Sequence, residues 1–218
     1  GRLMRDFRAV ITHLRSLDYA PKTVLDVGVA WGTPELYEGF PAAYFILIEA
    51  LPCFEGDLER ILKRVRGESH LVGVGDKEGQ VDVAVNLTPQ ALAGANVLEA
   101  PKNGEVTFTV PIRTIDSIVE SSPIESGALL KLDVQGADLR ALQGATETLR
   151  KCDAVIVEAS LTNRKNLVRD IVNFLFEQGF QLYKIFAPLN RPYDNAQGQV
   201  DLAFVRQGHS LLAYQGWN

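Results

Sequence analysis

Two cysteines and three histidines are all that 218 residues offer in soft metal ligands. Cys53 and Cys152 form no C-x-x-C pair, and His13, His70 and His209 lie in neither an H-E-x-x-H nor an H-x-x-H context. A four-thiolate zinc site and a zinc hydrolase are therefore excluded. The two thiols read as reduced side chains of a cytoplasmic protein. Positive charge is also short. With 22 Lys and Arg against 27 Asp and Glu, the net charge is −5. That balance excludes a broad phosphate-gripping face. No Asn/Asp-Pro-Pro-Tyr/Phe motif for a flipped amino base appears either, so nucleic acid is not an expected partner. No apolar run approaches the roughly 18 residues of a membrane span, and no signal-peptide pattern opens the sequence. Internal repeats and low-complexity tracts are absent as well.

What the chain does have is a core. Hydrophobic residues make up 46% and charged residues 22%, which fits one folded α/β domain over 1–218. Met4, Phe7, Val10, Ile11 and Leu14 recur at helical spacing within 1–20. This apolar stripe either packs on the domain or pairs with a second copy as a homodimer. TVLDVG (23–28), YFILIE (44–49) and HLVGV (70–74) read as buried strands. Between the first two, Thr33 fits an N-cap and Pro34 a first helical position. Phe54, Leu58, Ile61, Leu62 and Val65 mark the next helix. Strand–helix alternation is the mark of a parallel sheet covered on both faces.

The middle of the chain differs. Over 76–111, GQVDVAVN (79–86) and EVTFTV (105–110) alternate with period 2, which predicts an inserted antiparallel hairpin. The loop between them, 87–104, fits a plain surface loop or a lid. ALLKLDV (128–134), a helix over 138–149, AVIVE (154–158) and a helix stopped by Gly179 then resume the alternation. QLYKIF (181–186) and VDLAFV (200–205) are joined by a loop too short for a crossover helix, so they should be antiparallel neighbours. The expected fold is a Rossmann-like, mostly parallel seven-stranded sheet with an antiparallel last strand.

Ligands of such sheets bind beyond the carboxyl ends of the strands. After the first strand comes Asp26-Val27-Gly28-Val29-Ala30-Trp31-Gly32. Gly28 allows a tight turn, and Ala30 and Gly32 keep side chains away from an approaching ligand. The second strand ends in Glu49, about twenty residues on, where a carboxylate can accept from two ribose hydroxyls. Together these point to a nucleoside-containing cofactor. Asp26, two residues before the glycine, favours S-adenosylmethionine, whose α-ammonium needs nearby carboxylates. Asp76 could accept from an adenine amino group, and fits a turn in Gly75–Gly79 equally well. Asp133 and Glu158 end the next two parallel strands. If these are adjacent, the carboxylates face one cavity and either share a proton or hold a divalent cation. Either state could serve to deprotonate a hydroxyl acceptor. No metal ligands are assigned. Asp138 fits a helix N-terminus, and Lys131 a partner for either carboxylate.

With these residues in view, the chain resembles the FkbM family of S-adenosylmethionine-dependent methyltransferases. The matching pieces are DVGVAWG (26–32), LIEALP (47–52), VGDKEG (74–79), TID (114–116), LLKLDVQGADLRALQGA (129–145) and IVEAS (157–160). The resemblance implies methyl transfer to oxygen, often on sugars or secondary metabolites, with a small-molecule acceptor as partner. It implies cofactor contacts at Asp26, Gly28, Gly32 and Glu49, and puts Asp133 in the fourth-strand motif. Some positions depart from the family. Val29 and Ala30 replace a frequent Ala-Asn, Ala50 follows Glu49 where proline is frequent, and Gln135 stands where Glu is frequent. An amide cannot take a proton at neutral pH, so Asp133 rather than Gln135 is the expected catalytic group. Two other readings compete: a non-catalytic cofactor-binding partner subunit, and an NAD-dependent oxidoreductase. The Asp26 position and the antiparallel last hairpin count against the second of these.

Overall fold

A computed structural model describes residues 2–85, 106–162 and 166–217. The loop expected as a surface loop or lid, 87–104, lies outside the described residues. In chain order the elements are α1 (Arg2–Ser16), β1 (Thr23–Val27), α2 (Pro34–Gly39), β2 (Tyr44–Glu49), α3 (Glu55–Leu62), β3 (Arg66–Leu71), β4 (Gly73–Val74) and β5 (Gly79–Val85). They continue with β6 (Val106–Arg113), α4 (Ile115–Ile118), β7 (Ala128–Leu132), α5 (Asp138–Gln143), α6 (Thr146–Lys151), β8 (Cys152–Ser160), α7 (Val168–Glu177), β9 (Phe180–Asn190) and β10 (Gln197–Arg206).

Seven strands form one sheet in the order β3-β2-β1-β7-β8-β10-β9. β10 is antiparallel to both its neighbours, and every other pair is parallel. The mostly parallel seven-stranded sheet with a reversed last strand is as the sequence predicts. Strand order turns around between β1 and β7, which makes their carboxyl ends the switch point where such sheets take ligands.

β1 and β7 are buried at every position because helices cover both faces. Leu25, Val27, Leu130 and Leu132 pack against α4–α7, and Val24 and Leu129 against α1–α3. Val10, Ile11 and Leu14 of α1 are buried in this second layer. These three residues of the first helix's apolar stripe thus pack on their own domain.

Three local expectations are corrected. The third strand starts at Arg66 rather than His70, and Gly73–Val74 leaves it to pair with β6 in a separate sheet of order β4-β6-β5. β3 is a polar, half-exposed edge strand, so no apolar run announces it. The helix expected over 138–149 is two helices. A Cβ on Gly144 would sit 2.1 Å from the carbonyl oxygen of Gly75, and the chain breaks there to let the backbones meet. Asp116 then serves α6, accepting from the amides of Glu147 and Thr148 at 3.0 and 2.8 Å. Finally, Thr33 precedes α2 without a side-chain cap; its carbonyl accepts from Leu36 instead.

Candidate active site

The tips of β1, β2 and β7 border an open cleft whose lining includes Gly28, Ala30, Glu49, Phe54, Val74 and Asp133. Gly28 has φ +77°, and a Cβ there would lie 1.9 Å from the carbonyl oxygen of Asp133. Only glycine lets β1 and β7 close to this distance, leaving the backbone bare at the switch point. Ala30 takes left-handed φ +46°, which turns its amide toward Glu49. The Glu49 carboxylate accepts from Ala30 N and Leu51 N, both at 2.9 Å. Burial pushes its pKa up, against the pull of those amides. Gly32, with φ +108°, has a different duty: its missing Cβ makes room for Ile61 and Tyr37.

Two expected cofactor contacts stand elsewhere. Asp26 is 0% exposed and does not border the cleft. It shares a sheet face with Val24, toward α2, where Tyr37 OH donates to it at 2.7 Å and Lys131 Nζ lies 3.1 Å away. Lys131 also donates to the carbonyl of Gly28 at 3.0 Å. So Lys131 pairs with Asp26 rather than with Asp133 or Glu158, and ties the first glycine turn to β7. Burial works against the Lys131 charge, but Asp26 and Asp133 outweigh it and its pKa rises. Asp76 does not border the cleft either. Its partner is Arg140, with Nε at 2.8 Å and Nη2 at 2.6 Å. Partial burial opposes its charge, yet Arg140 lowers its pKa overall. Of its two readings, the structure supports the turn.

A second cavity shares Gly28, Ala30 and Asp133 with the first and extends toward α1 and α2. Asp133 and Glu158 both line it, so the structure brings the two expected catalytic carboxylates together. Gln135 Nε2 donates to Asp133 at 2.7 Å, and Gln199 Nε2 donates to Glu158. Burial and the neighbouring Asp133, Asp138 and Asp201 hold the Glu158 carboxyl well above its ordinary pKa. Asp138 is fully buried and ties the β7–α5 turn, accepting from Val134 N at 3.1 Å and Gly136 N at 3.2 Å. Burial, then Asp133, raises its pKa to about 7.

Sequence reasoning missed two residues of this cavity. Asp201 stands opposite Glu158 in the β8–β10 register, and Glu35 projects from α2. Asp201 carried a signal, since it alternates with the core residues Val200 and Leu202 of β10. Reading it required knowing that β10 lies beside β8. Among the described residues, no three Asp, Glu, His or Cys side chains converge as a metal site would require. No helix among them is long and apolar enough to cross a membrane.

A family model described as the methyltransferase FkbM domain matches residues 26–182, from the Asp26 turn to the start of β9. The chain belongs to the FkbM methyltransferase family. Within this FkbM domain, the match takes in every strand tip that borders the cleft. No curated protein matches the chain. Solved structures resemble it distantly. Precorrin-6y C5,15-methyltransferase from Geobacter metallireducens is 11% identical, with 91% of this chain and 86% of that chain covered and a TM-score of 0.49. Magnesium protoporphyrin IX methyltransferase from Synechocystis, solved with bound SAM, is 13% identical, with 91% and 76% covered and a TM-score of 0.49. Fibrillarin from Aeropyrum pernix, in complex with S-adenosyl-L-methionine, is 12% identical, with 92% and 76% covered and a TM-score of 0.47.

Proposed function

We propose that this FkbM-family chain is a cytoplasmic S-adenosylmethionine-dependent O-methyltransferase that acts on a hydroxyl of a sugar or secondary metabolite. The observation that carries the reading is the Glu49 carboxylate. It is buried at the tip of β2, where Ala30 N meets one oxygen, Leu51 N the other, and the Ala50 amide adds a further attraction. A carboxylate oxygen has room for a second donor, which fits the two hydroxyls of a ribose. Gly28 supports the same reading, because it lines both the first cleft and the cavity beside it. Two free cysteines, Cys53 and Cys152, suit a reducing cytoplasm.

Bound S-adenosylmethionine supplies a methyl group carried on a sulfonium sulfur. The chain's task is to align the acceptor oxygen and ease the loss of its proton. Asp133 stands where the two cavities meet, with one oxygen on Gln135 and the other free to accept the hydroxyl proton. Glu158, held toward its protonated form, is suited to donate a hydrogen bond to the acceptor.

Calorimetric titration with S-adenosylmethionine and S-adenosylhomocysteine tests the cofactor. Wild type binds both, and Glu49→Ala weakens each about tenfold to a hundredfold, as expected for removing charge-assisted hydrogen bonds. Absence of binding by wild type overturns the reading. Binding without turnover on any hydroxyl acceptor, with or without Mg²⁺, leaves a cofactor-binding partner subunit.

A further inference from the structure

The cavity on the acceptor side has apolar walls at Phe7, Trp31 and Ile156, and acidic ones at Glu35, Asp133, Glu158 and Asp201. Lys131 is its one basic wall residue among those described, and its ammonium is already held by Asp26 and the Gly28 carbonyl. Asp133 and Glu158 each have an amide donor. Glu35 and Asp201 do not. The Glu35 side chain is only 5% exposed, and no hydrogen bond among the described residues reaches it. The nearest cation, Arg8 Nη2, stands 3.8 Å away, while Arg8 Nη1 donates to Glu38 at 2.8 Å. Asp201 has neither a hydrogen bond nor an ion pair among the described residues.

A buried carboxylate with only a long ion pair, as at Glu35, is poorly satisfied, and the half-exposed Asp201 shares one cavity with carboxylates that repel it. A neutral polyol offers hydrogen bonds but no counter-charge. A ligand with an ammonium offers both, and the exposed face of Trp31 (46% exposed) adds a surface that cations favour. We infer that the methyl acceptor is an amine-bearing polyol, such as an amino sugar or aminocyclitol, whose ammonium is held between Glu35 and Asp201 while its hydroxyl meets Asp133. This rests on the O-methyltransferase reading for the reaction. The cation preference of the cavity is a property of these side chains alone.

A matched pair of probes separates charge from shape. 2-Deoxystreptamine and myo-inositol are both six-membered carbocyclic polyols, and only the first carries ammonium groups at neutral pH. Each is titrated calorimetrically into the full chain, with and without S-adenosylhomocysteine, for wild type, Glu35→Gln and Asp201→Asn. The diamine is expected to bind wild type at least about tenfold more tightly than inositol, a difference of about 1.4 kcal/mol. Either substitution should remove most of that preference and leave S-adenosylhomocysteine affinity in place. Inositol binding as tightly as the diamine, binding of neither, or a preference that survives in both variants overturns the inference. If S-adenosylhomocysteine fails to bind while the diamine preference holds, the cofactor reading fails and the cation site stands.

Discussion

The two halves of the site treat their carboxylates in opposite ways. On the cofactor side, Glu49 is met by two backbone amides. On the acceptor side, Glu158 and Asp201 face each other with side-chain donors for one and none for the other. The difference follows from where each residue sits on its strand. Glu49 is the last residue of β2, beside a β1 turn whose amides belong to no ladder, so its side chain can satisfy them. Glu158 and Asp201 are paired within the β8–β10 ladder, which runs on to Ser160 and Gln199. Their backbone neighbours are occupied. A carboxylate at a strand tip finds backbone amides, whereas one inside a ladder needs a side-chain donor, as Glu158 has in Gln199, or else a proton or a ligand.

The largest expected effect comes from the residue that joins the two halves. Lys131→Ala leaves Asp26 buried beside Tyr37 without its counter-ion, which costs about 3–5 kcal/mol. It also unties the Gly28 turn. Denaturant unfolding should show this loss, and the double variant Asp26→Asn with Lys131→Met should recover much of it, because an unpaired buried charge is then no longer left behind. Recovery failing would mean that the link from Lys131 to Gly28, not the ion pair, carries the stability.

Next comes a lesion confined to the cofactor side. Gly28→Ala puts a methyl into the Asp133 carbonyl at a left-handed φ. The strand tips must part, with a loss of about 1–3 kcal/mol in stability. Affinity for S-adenosylhomocysteine should fall below detection by calorimetry. Asp133 shifts with the turn, so this is the substitution expected to damage both halves through one backbone contact.

Which parts of this were legible follows the same division. β1, β2, β7 and β8 announce themselves because burial on both faces demands continuous apolar runs. The Gly28–Glu49 relation is legible because it joins sequential strand tips, as βα turns on parallel sheets do. The start of β3 is not, since a polar edge strand has no pattern to read. Asp26 is visible as an unusual acid, but its direction depends on Tyr37 of α2 and Lys131 of β7, which only the folded sheet brings to one face. The Glu158–Asp201 pair depends in turn on β10 running antiparallel beside β8. Gly144 was available as a helix breaker and is passed over only if the apolar spacing of 138–149 is weighed alone.

The smallest expected effect probes the acceptor side and has an unusual sign. Burial, and then the charge of Asp133, raises the Asp201 carboxyl from an ordinary acid to about 7 in the folded chain. Between about pH 4 and 7, the folded state therefore holds a proton that the unfolded state has released. Stability contributed by this group is present at the acid end of that window and is lost as pH rises through it. Asn cannot ionise, so Asp201→Asn removes the loss. Measured against wild type, the variant should gain on the order of 2 kcal/mol between pH 5 and pH 8, read from denaturant midpoints at both pH values. A bound ammonium should erase this advantage, because it gives the ionised Asp201 of the wild type the counter-charge it lacks. If instead Asp201→Asn destabilises the chain equally at both pH values, the carboxylate is a structural member of β10 and the contrast between the two halves of the site disappears.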